Sequence, residues 1–314
     1  MKYNTYTTNT PLVSEIGMGA WQLGKDSFWQ TTLSEKEAIA LVHKALDLGV
    51  NFFDTAPNYG FGTSETRLGK ALKHTDRSKI VINTKFGHND KGKTNYHSDT
   101  IRQSLEGSLK RLQIDYIDSL IIHNPPSEYL DGNNNDHYKI LEQLKDEGKI
   151  KAYGASLDTY EEMKLLMETT DSKVIEAFFN ILHQDTARAF DLAQQNEVGI
   201  IVKIPLDSGW LTGKYDEKST FNDIRQRWSI QDIKTRSDLV NEIKNITGPD
   251  TNLTQTAIAF CLAYDAVSTV IPGSVTIEQL KNNIGSINQS ISKELVKKLE
   301  QFYQTKVKDL TLPW

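Results

Sequence analysis

Short apolar runs alternate with amphipathic stretches along the whole chain. Eight of the runs read as strands: Ile16–Ala20, Val50–Asp54, Ile80–Lys85, Ile117–His123, Ile150–Ser156, Val174–Asn180, Gly199–Ile204 and Ser268–Pro272. Several are near-continuous successions of Ile, Val and Leu, the pattern of parallel strands covered on both faces. Between them, apolar residues recur at helical spacing, as in Ala38, Leu41, Val42, Ala45 and Leu46. Ser98 precedes a second such stripe made by Ile101, Leu105, Leu109 and Leu112. Ser34 with Glu37, Asp158 with Glu161, and Thr276 with Gln279 have the spacing of capping boxes. Gly49 stands where the first helix must stop.

Eight strand–helix units with no linker between them predict one α/β domain over residues 1–314. The expected fold is a (β/α)8 TIM barrel, an eight-stranded parallel barrel ringed by helices. The rival, a doubly wound open sheet, would carry Gly-x-Gly-x-x-Gly after its first strand. Gly17-Met18-Gly19 runs on into Ala20-Trp21-Gln22, and Gly60-Phe61-Gly62 into Thr63-Ser64-Glu65, so both lack the third glycine. One connection is long, from Pro205 to about Leu253, and contains Gly209, Trp210, Gly213, Arg225, Arg227 and Trp228. Long connections in compact domains commonly carry function.

Composition narrows the function classes. At 314 residues, 38% hydrophobic and 25% charged, the chain has the make-up of an ordinary soluble protein with a sizeable core. A net charge of −5 argues against nucleic acid as a partner. No run is long enough to span a membrane, and Met1–Thr5 lacks the apolar stretch of a signal peptide, so a cytoplasmic location is expected. The single cysteine, Cys261, lies in an apolar helical run and reads as a buried packing residue. His43, His74, His88, His97, His137 and His183 show no metal-ligand spacing, so no catalytic metal is expected. No Gly-x-Ser-x-Gly elbow suggests a hydrolase.

Barrel active sites lie at the C-terminal ends of the strands. Here those ends are polar: Asp54, Lys85, His123, Ser156 and Asn180 close successive runs. Tyr59 follows Asp54 closely enough to fold back over the same mouth. Asp54, Tyr59, Lys85 and His123 then form a coherent catalytic set. An ammonium beside a phenol favours the phenolate, making Tyr59 a better acid toward a carbonyl oxygen. Asp54 would hold the ammonium, and His123 would add a hydrogen bond to a developing alkoxide. A second motif, Ile271-Pro272-Gly273-Ser274-Val275-Thr276, opens a helix after the last strand and suits an anion. The segment from Ser208 through Gly209 and Leu211 to Gly213 could wrap the other end of the same ligand.

These motifs resemble the aldo-keto reductase family over nearly the whole chain. The resemblance rests on Asn51–Gly60 followed by Ser64-Glu65, on Thr84-Lys85, on the His123 strand end, on Gly148–Ser156 and on Ile271–Asn283. It implies a nicotinamide cofactor, NADP(H) with NAD(H) as the alternative, and a carbonyl or alcohol substrate such as an aldehyde, ketone or sugar. Tyr59 becomes the general acid/base, with Asp54, Lys85 and His123 around it. Ser156, Glu176, Asn180, Pro205, Leu206, Ser208, Gly209, Leu211 and Gly213 become cofactor contacts toward the nicotinamide and pyrophosphate. Gly273, Ser274, Val275, Thr276, Gln279, Asn282 and Asn283 become contacts toward the adenosine phosphate. Trp21, Trp29, Phe61, Phe86, Trp210 and Trp228 are the candidate substrate pocket. The chain departs from the family pattern at Leu157 (usually Asn), Glu176 (often Gln), Ile204 (in place of a stacking aromatic) and Val275 (often basic). Two alternatives share this scaffold: an NAD-dependent sugar or alcohol dehydrogenase, and a cofactor-binding regulatory subunit without turnover. A monomer or small homo-oligomer is expected.

Overall fold

A computed structural model describes residues 1–25 and 33–313. Eight parallel strands form one sheet in sequence order: β3 (Met18–Gly19), β4 (Phe52–Asp54), β5 (Val81–Phe86), β6 (Ile117–Ile122), β7 (Ile150–Leu157), β8 (Val174–Phe178), β9 (Gly199–Lys203) and β10 (Val267–Val270). Parallel bridges from Ile16 to Val270 and from Gly19 to Gly273 bring its first and last strands together. The barrel expected from the alternating runs is therefore present. An antiparallel hairpin, β1 (Tyr3–Asn4) with β2 (Val13–Ser14), precedes it. Tyr6 follows β1, and its hydroxyl meets Ser119 Oγ inside the barrel at 2.7 Å.

Strand alternation sorts side chains between the two faces. Phe52, Val81, Ile121, Ala152, Val174, Ile201 and Ile271 pack with Tyr6 in the lower barrel interior. The residues that alternate with them, such as Phe53, Ile82, Ile175 and Ile200, face the surrounding helices and join the larger core. The helices are α1 (Glu35–Asp47), α2 (Thr63–Leu72), α3 (Ile101–Leu112), α4 (His137–Asp146), α5 (Tyr160–Thr169), α6 (Phe190–Gln195), α7 (Ile230–Thr247), α8 (Leu253–Leu262), α9 (Ile277–Gly285) and α10 (Lys293–Phe302).

The capping signals hold with two adjustments. Ser34 and Glu37 form the expected reciprocal box on α1. On α5 the box is Thr159 with Glu162, one residue later than Asp158 with Glu161. Thr276 caps α9, but the Gln279 side chain accepts from Val275 N at 2.9 Å, tying down the loop before the helix. The long connection after β9 contains α7, whose start is marked by a Ser229–Asp232 box. Cys261 is fully buried in α8. Among the described residues, no helix is long and apolar enough to cross a membrane, and no cluster of side chains has a metal-binding arrangement.

Candidate active site

The upper barrel interior is polar where the lower is apolar. Asp54 ends β4, Asn83 and Lys85 lie on β5, Ser156 on β7, Glu176 on β8 and Lys203 on β9, and all are buried. Lys85 Nζ donates to Asp54 Oδ2 at 2.6 Å and to Thr55 O at 3.1 Å, and lies 3.0 Å from Glu176 Oε2. The same ammonium lies 5.2 Å from the centroid of the Tyr59 ring. His123 meets that ring edge-on, with centroids 5.8 Å apart. Asp54, Tyr59, Lys85 and His123 thus converge at one rim from three chain segments: β4 with the loop after it, β5 and the end of β6.

The loop carrying Tyr59 is fixed from several sides. Gly60 has φ +58, and a Cβ there would fall 2.3 Å from Lys25 N. Ser64 Oγ donates to Ala20 O at 2.7 Å and meets Thr55 Oγ1 at 3.0 Å. Glu65 accepts from Thr84 Oγ1 and Arg111 Nε, both at 2.7 Å, anchoring the start of α2 beside β5. The Ser64-Glu65 pair therefore has a mechanical role, locking the phenol's loop to neighbouring strand tops.

Burial dominates the ionisation of this site. It raises the Tyr59 phenol above its ordinary range, against the opposing pull of Lys85, while Asp54 and Glu176 push in the same direction as burial. The acidifying effect expected from Lys85 is present but is outweighed. Burial alone would depress Lys85, but Asp54 and Glu176 reverse this and keep it an ammonium. Asp54 is pushed up to about 7 by burial and by Glu176, despite Lys85 and Asn83. His123 is held well below its ordinary value by burial, Lys85, His88 and Lys203, so it is neutral at pH 7.

Above these residues opens a cleft of about 760 Å³. It runs from Asp54, Tyr59 and His123 to the Gly273–Asn283 segment, so one elongated ligand could reach both ends. Of the expected cofactor contacts, Ser156, Glu176, Pro205, Leu206, Ser208 and Gly209 line it at the barrel side. Gly273, Ser274, Val275, Gln279, Asn282 and Asn283 line its other end. Four expected contacts do not. Asn180 is buried and donates to Ile204 O at 2.9 Å, pinning the chain as it leaves β9. Leu211 is in the core, Gly213 makes a turn at φ +75, and the Thr276 side chain serves the helix.

The expected aromatic pocket is mostly elsewhere. Trp21 lines the cleft and stacks on Tyr59, with centroids 5.5 Å apart. Phe86 follows inward-facing Lys85 and so points out of the barrel, stacking on His137. Phe61 is exposed beyond the Tyr59 turn. Trp210 and Trp228 are buried against one another and Phe221, where they hold the long connection together. Trp29 lies outside the described residues.

Several cleft residues were not singled out from sequence, Lys203 and His88 among them. Lys203, not Ile204, is the inward-facing residue at the end of β9; its ammonium donates to Asn124 Oδ1 at 2.7 Å and Ser156 Oγ at 2.8 Å, and pairs with Asp158 Oδ1 at 2.7 Å. Counting by twos from Gly199 through Ile201 would have found it. Ile204 itself lines the cleft with φ +54, costly for a β-branched residue. His88 also lines the cleft, stacked on His123 at 4.7 Å and bonded to Tyr96 OH at 2.7 Å.

The profile of the aldo/keto reductase family matches residues 15–304. The chain belongs to this family. It is therefore grouped with oxidoreductases that generally use NAD(P)H. Aldo-keto reductase AKR11C1 from Bacillus halodurans, in its holo form, superposes with a TM-score of 0.82 at 27% identity, with 100% of each chain covered. NADH-specific methylglyoxal reductase of Escherichia coli (strain K12) is 27% identical, over 93% of this chain and 95% of the relative. A probable voltage-gated potassium channel subunit beta from Oryza sativa subsp. japonica is 29% identical, over 98% of both.

Proposed function

We propose that this aldo/keto reductase is an NADP(H)-dependent oxidoreductase that interconverts a carbonyl and an alcohol, with Tyr59 as general acid/base. The carrying observation is the meeting of a phenol, an ammonium, a carboxylate and an imidazole at one end of the cleft. The cleft's length and the α9 N-terminal segment beside it fit an elongated, anionic dinucleotide. When bound, the nicotinamide would supply or accept a hydride at C4.

In the reducing direction, Tyr59 gives its proton to the carbonyl oxygen as that oxygen gains charge. Its high proton affinity keeps the phenol protonated and ready at neutral pH. Lys85, held by Asp54 and Glu176, stabilises the phenolate left behind. Neutral His123 orients the carbonyl without competing as an acid. Trp21, stacked on Tyr59, offers an apolar wall to the substrate. Aldehydes, ketones and sugars are the substrate classes to examine.

Val275 places no cation at its position in the loop, and this favours NAD(H) as a second reading of cofactor choice. The likeness to a potassium channel beta subunit favours a second reading of role, a cofactor-binding regulatory subunit. Titration with NADPH and NADH, followed by turnover on a panel of aldehydes, ketones and sugars, separates these readings. Saturable binding with turnover on at least one substrate is expected. Tight binding with no turnover in either direction would replace the enzyme with the regulatory subunit.

A further inference from the structure

Three other buried carboxylates, Asp118, Asp207 and Glu65, each meet at least one cation. Asp118 pairs with Arg77 at 2.6 Å and Lys151 at 2.9 Å. Asp207 pairs with Arg236, and Glu65 with Arg111. Around Lys85 the proportion is inverted. Asp54 Oδ2 and Glu176 Oε2 both lie against its single ammonium, at 2.6 Å and 3.0 Å. Asn83 Nδ2 bridges the same two oxygens, at 2.7 Å and 3.5 Å. Both carboxylates are almost fully buried. Two full negative charges on one cation in a buried site leave an uncompensated charge, which is costly unless a proton neutralises it. Two carboxyls sharing one site resolve the cost by ionising only once.

The surroundings do not remove the excess. Tyr59 above and Tyr6 below are neutral phenols, and His123 is neutral at pH 7. Lys203 reaches Glu176 only through Ser156: its ammonium donates to Ser156 Oγ at 2.8 Å, and that hydroxyl donates to Glu176 Oε1 at 3.3 Å. Lys203 is itself paired with Asp158, whose side chain is 46% exposed and so opens to water.

We propose that Glu176 and Asp54 form a carboxyl pair that holds one shared proton beside Lys85 and returns it, through Lys85, to Tyr59 after each reduction. Glu176 is thus a positioning and proton-storing residue. The proposal rests on the reading of Tyr59 as general acid. As the carbonyl oxygen gains its hydrogen, the Tyr59 O–H bond breaks. The phenolate takes a proton from the Lys85 ammonium. The resulting amine takes the carboxyl proton. The doubly ionised pair regains a proton from water along Asp158, Lys203 and Ser156. No electrons move in these steps, and each proton lost by one group is gained by the next.

Infrared titration of the full chain from pH 5 to pH 9 tests the pair without turnover. A carboxylic-acid C=O stretch should persist at pH 6 and disappear through neutrality in the wild type. In the isosteric Glu176→Gln variant, with its fold checked by circular dichroism, the near-neutral transition should be missing, because Asp54 then faces Lys85 alone. No such stretch in the wild type overturns the proposal, and so does an identical transition in Glu176→Gln. The reductive kcat should fall as pH rises through the same transition, and Glu176→Gln should displace that limb by a unit or more. An undisplaced limb overturns the proton-return role. Absence of turnover on every carbonyl would count against the enzymatic reading instead, and would leave the infrared result to decide the pair.

Discussion

The ammonium of Lys203 donates to the hydroxyl of Ser156 at 2.8 Å, and this contact commits a side chain that the family resemblance assigns to the cofactor. Ser156 accepts from Lys203 and donates to Glu176, so its single proton is already engaged. A charge thus stands at the barrel end where the resemblance leads one to expect an aromatic. The oxidised nicotinamide ring is cationic, and a nearby ammonium disfavours it relative to the neutral reduced ring. Lys203→Met should therefore lower the Kd for oxidised cofactor relative to reduced, by about fivefold for a screened interaction of roughly 1 kcal/mol. Fluorescence titration with both redox forms measures this. An unchanged ratio would place the ammonium outside the cofactor's field.

Gly60 tests how tightly the phenol must be placed. At φ +58, with space for a Cβ blocked by Lys25 N and Gly24 Cα, Gly60→Ala must shift the Tyr59 turn. A displacement on the order of 1 Å costs about a hundredfold in turnover. The fold should survive, because the strain is confined to one turn. Steady-state kinetics with circular dichroism distinguishes the outcomes, and wild-type turnover in a folded variant would show that the turn is not what positions Tyr59.

Arg236 bears on stability. It is fully buried, contacts Asp207 Oδ2 at 3.2 Å and donates to Pro313 O at 2.6 Å. Removing it in Arg236→Met leaves the buried Asp207 carboxylate, among the described residues, with only His183 beside it, 3.3 Å from Oδ1, at a cost of about 3 kcal/mol in denaturant unfolding. Asp207 also sets a pH dependence. Burial raises its pKa, but His183 and Arg236 outweigh this and leave it below 3.8. Between the folded value and 3.8 the unfolded chain binds more protons, so this contribution is complete above about pH 5 and is lost as pH falls through the folded value. The loss should be weaker in Arg236→Met.

Val275 addresses cofactor choice. It lines the cleft next to Ser274, where a guanidinium could pair with a 2′-phosphate. Val275→Arg should tighten NADP(H) about 10- to 100-fold while leaving NAD(H) nearly unchanged, in line with a charge-assisted hydrogen bond of roughly 1.5–3 kcal/mol. Equal effects on both nucleotides would place the 2′-position elsewhere.

The barrel was legible in sequence because parallel strands covered on both faces write themselves as unbroken apolar runs. Strand ends were legible where a polar residue closed such a run, as at Asp54, Lys85 and His123. Lys203 was not legible because the apolar run closes on Ile204, and a shift of one residue moves a side chain to the opposite face of the sheet. Phe86 and Trp210 were misplaced for a related reason: an aromatic side chain marks packing without saying which side it packs on. Helix α7 was hidden inside a connection rich in glycine and tryptophan, and its buried Arg236 interrupts the apolar stripe that would have announced it. The double carboxylate on Lys85 links β4, β5 and β8, and no local pattern reports a meeting of that kind.

Tyr59→Phe, examined by single-turnover oxidation of bound reduced cofactor with a saturating carbonyl, removes one hydroxyl and little else. Cofactor Kd should stay within about twofold of wild type, and the chemical step should slow by about 10²–10⁴-fold. A variant that binds cofactor normally and still reduces the carbonyl at the wild-type rate would take the phenol out of the chemistry.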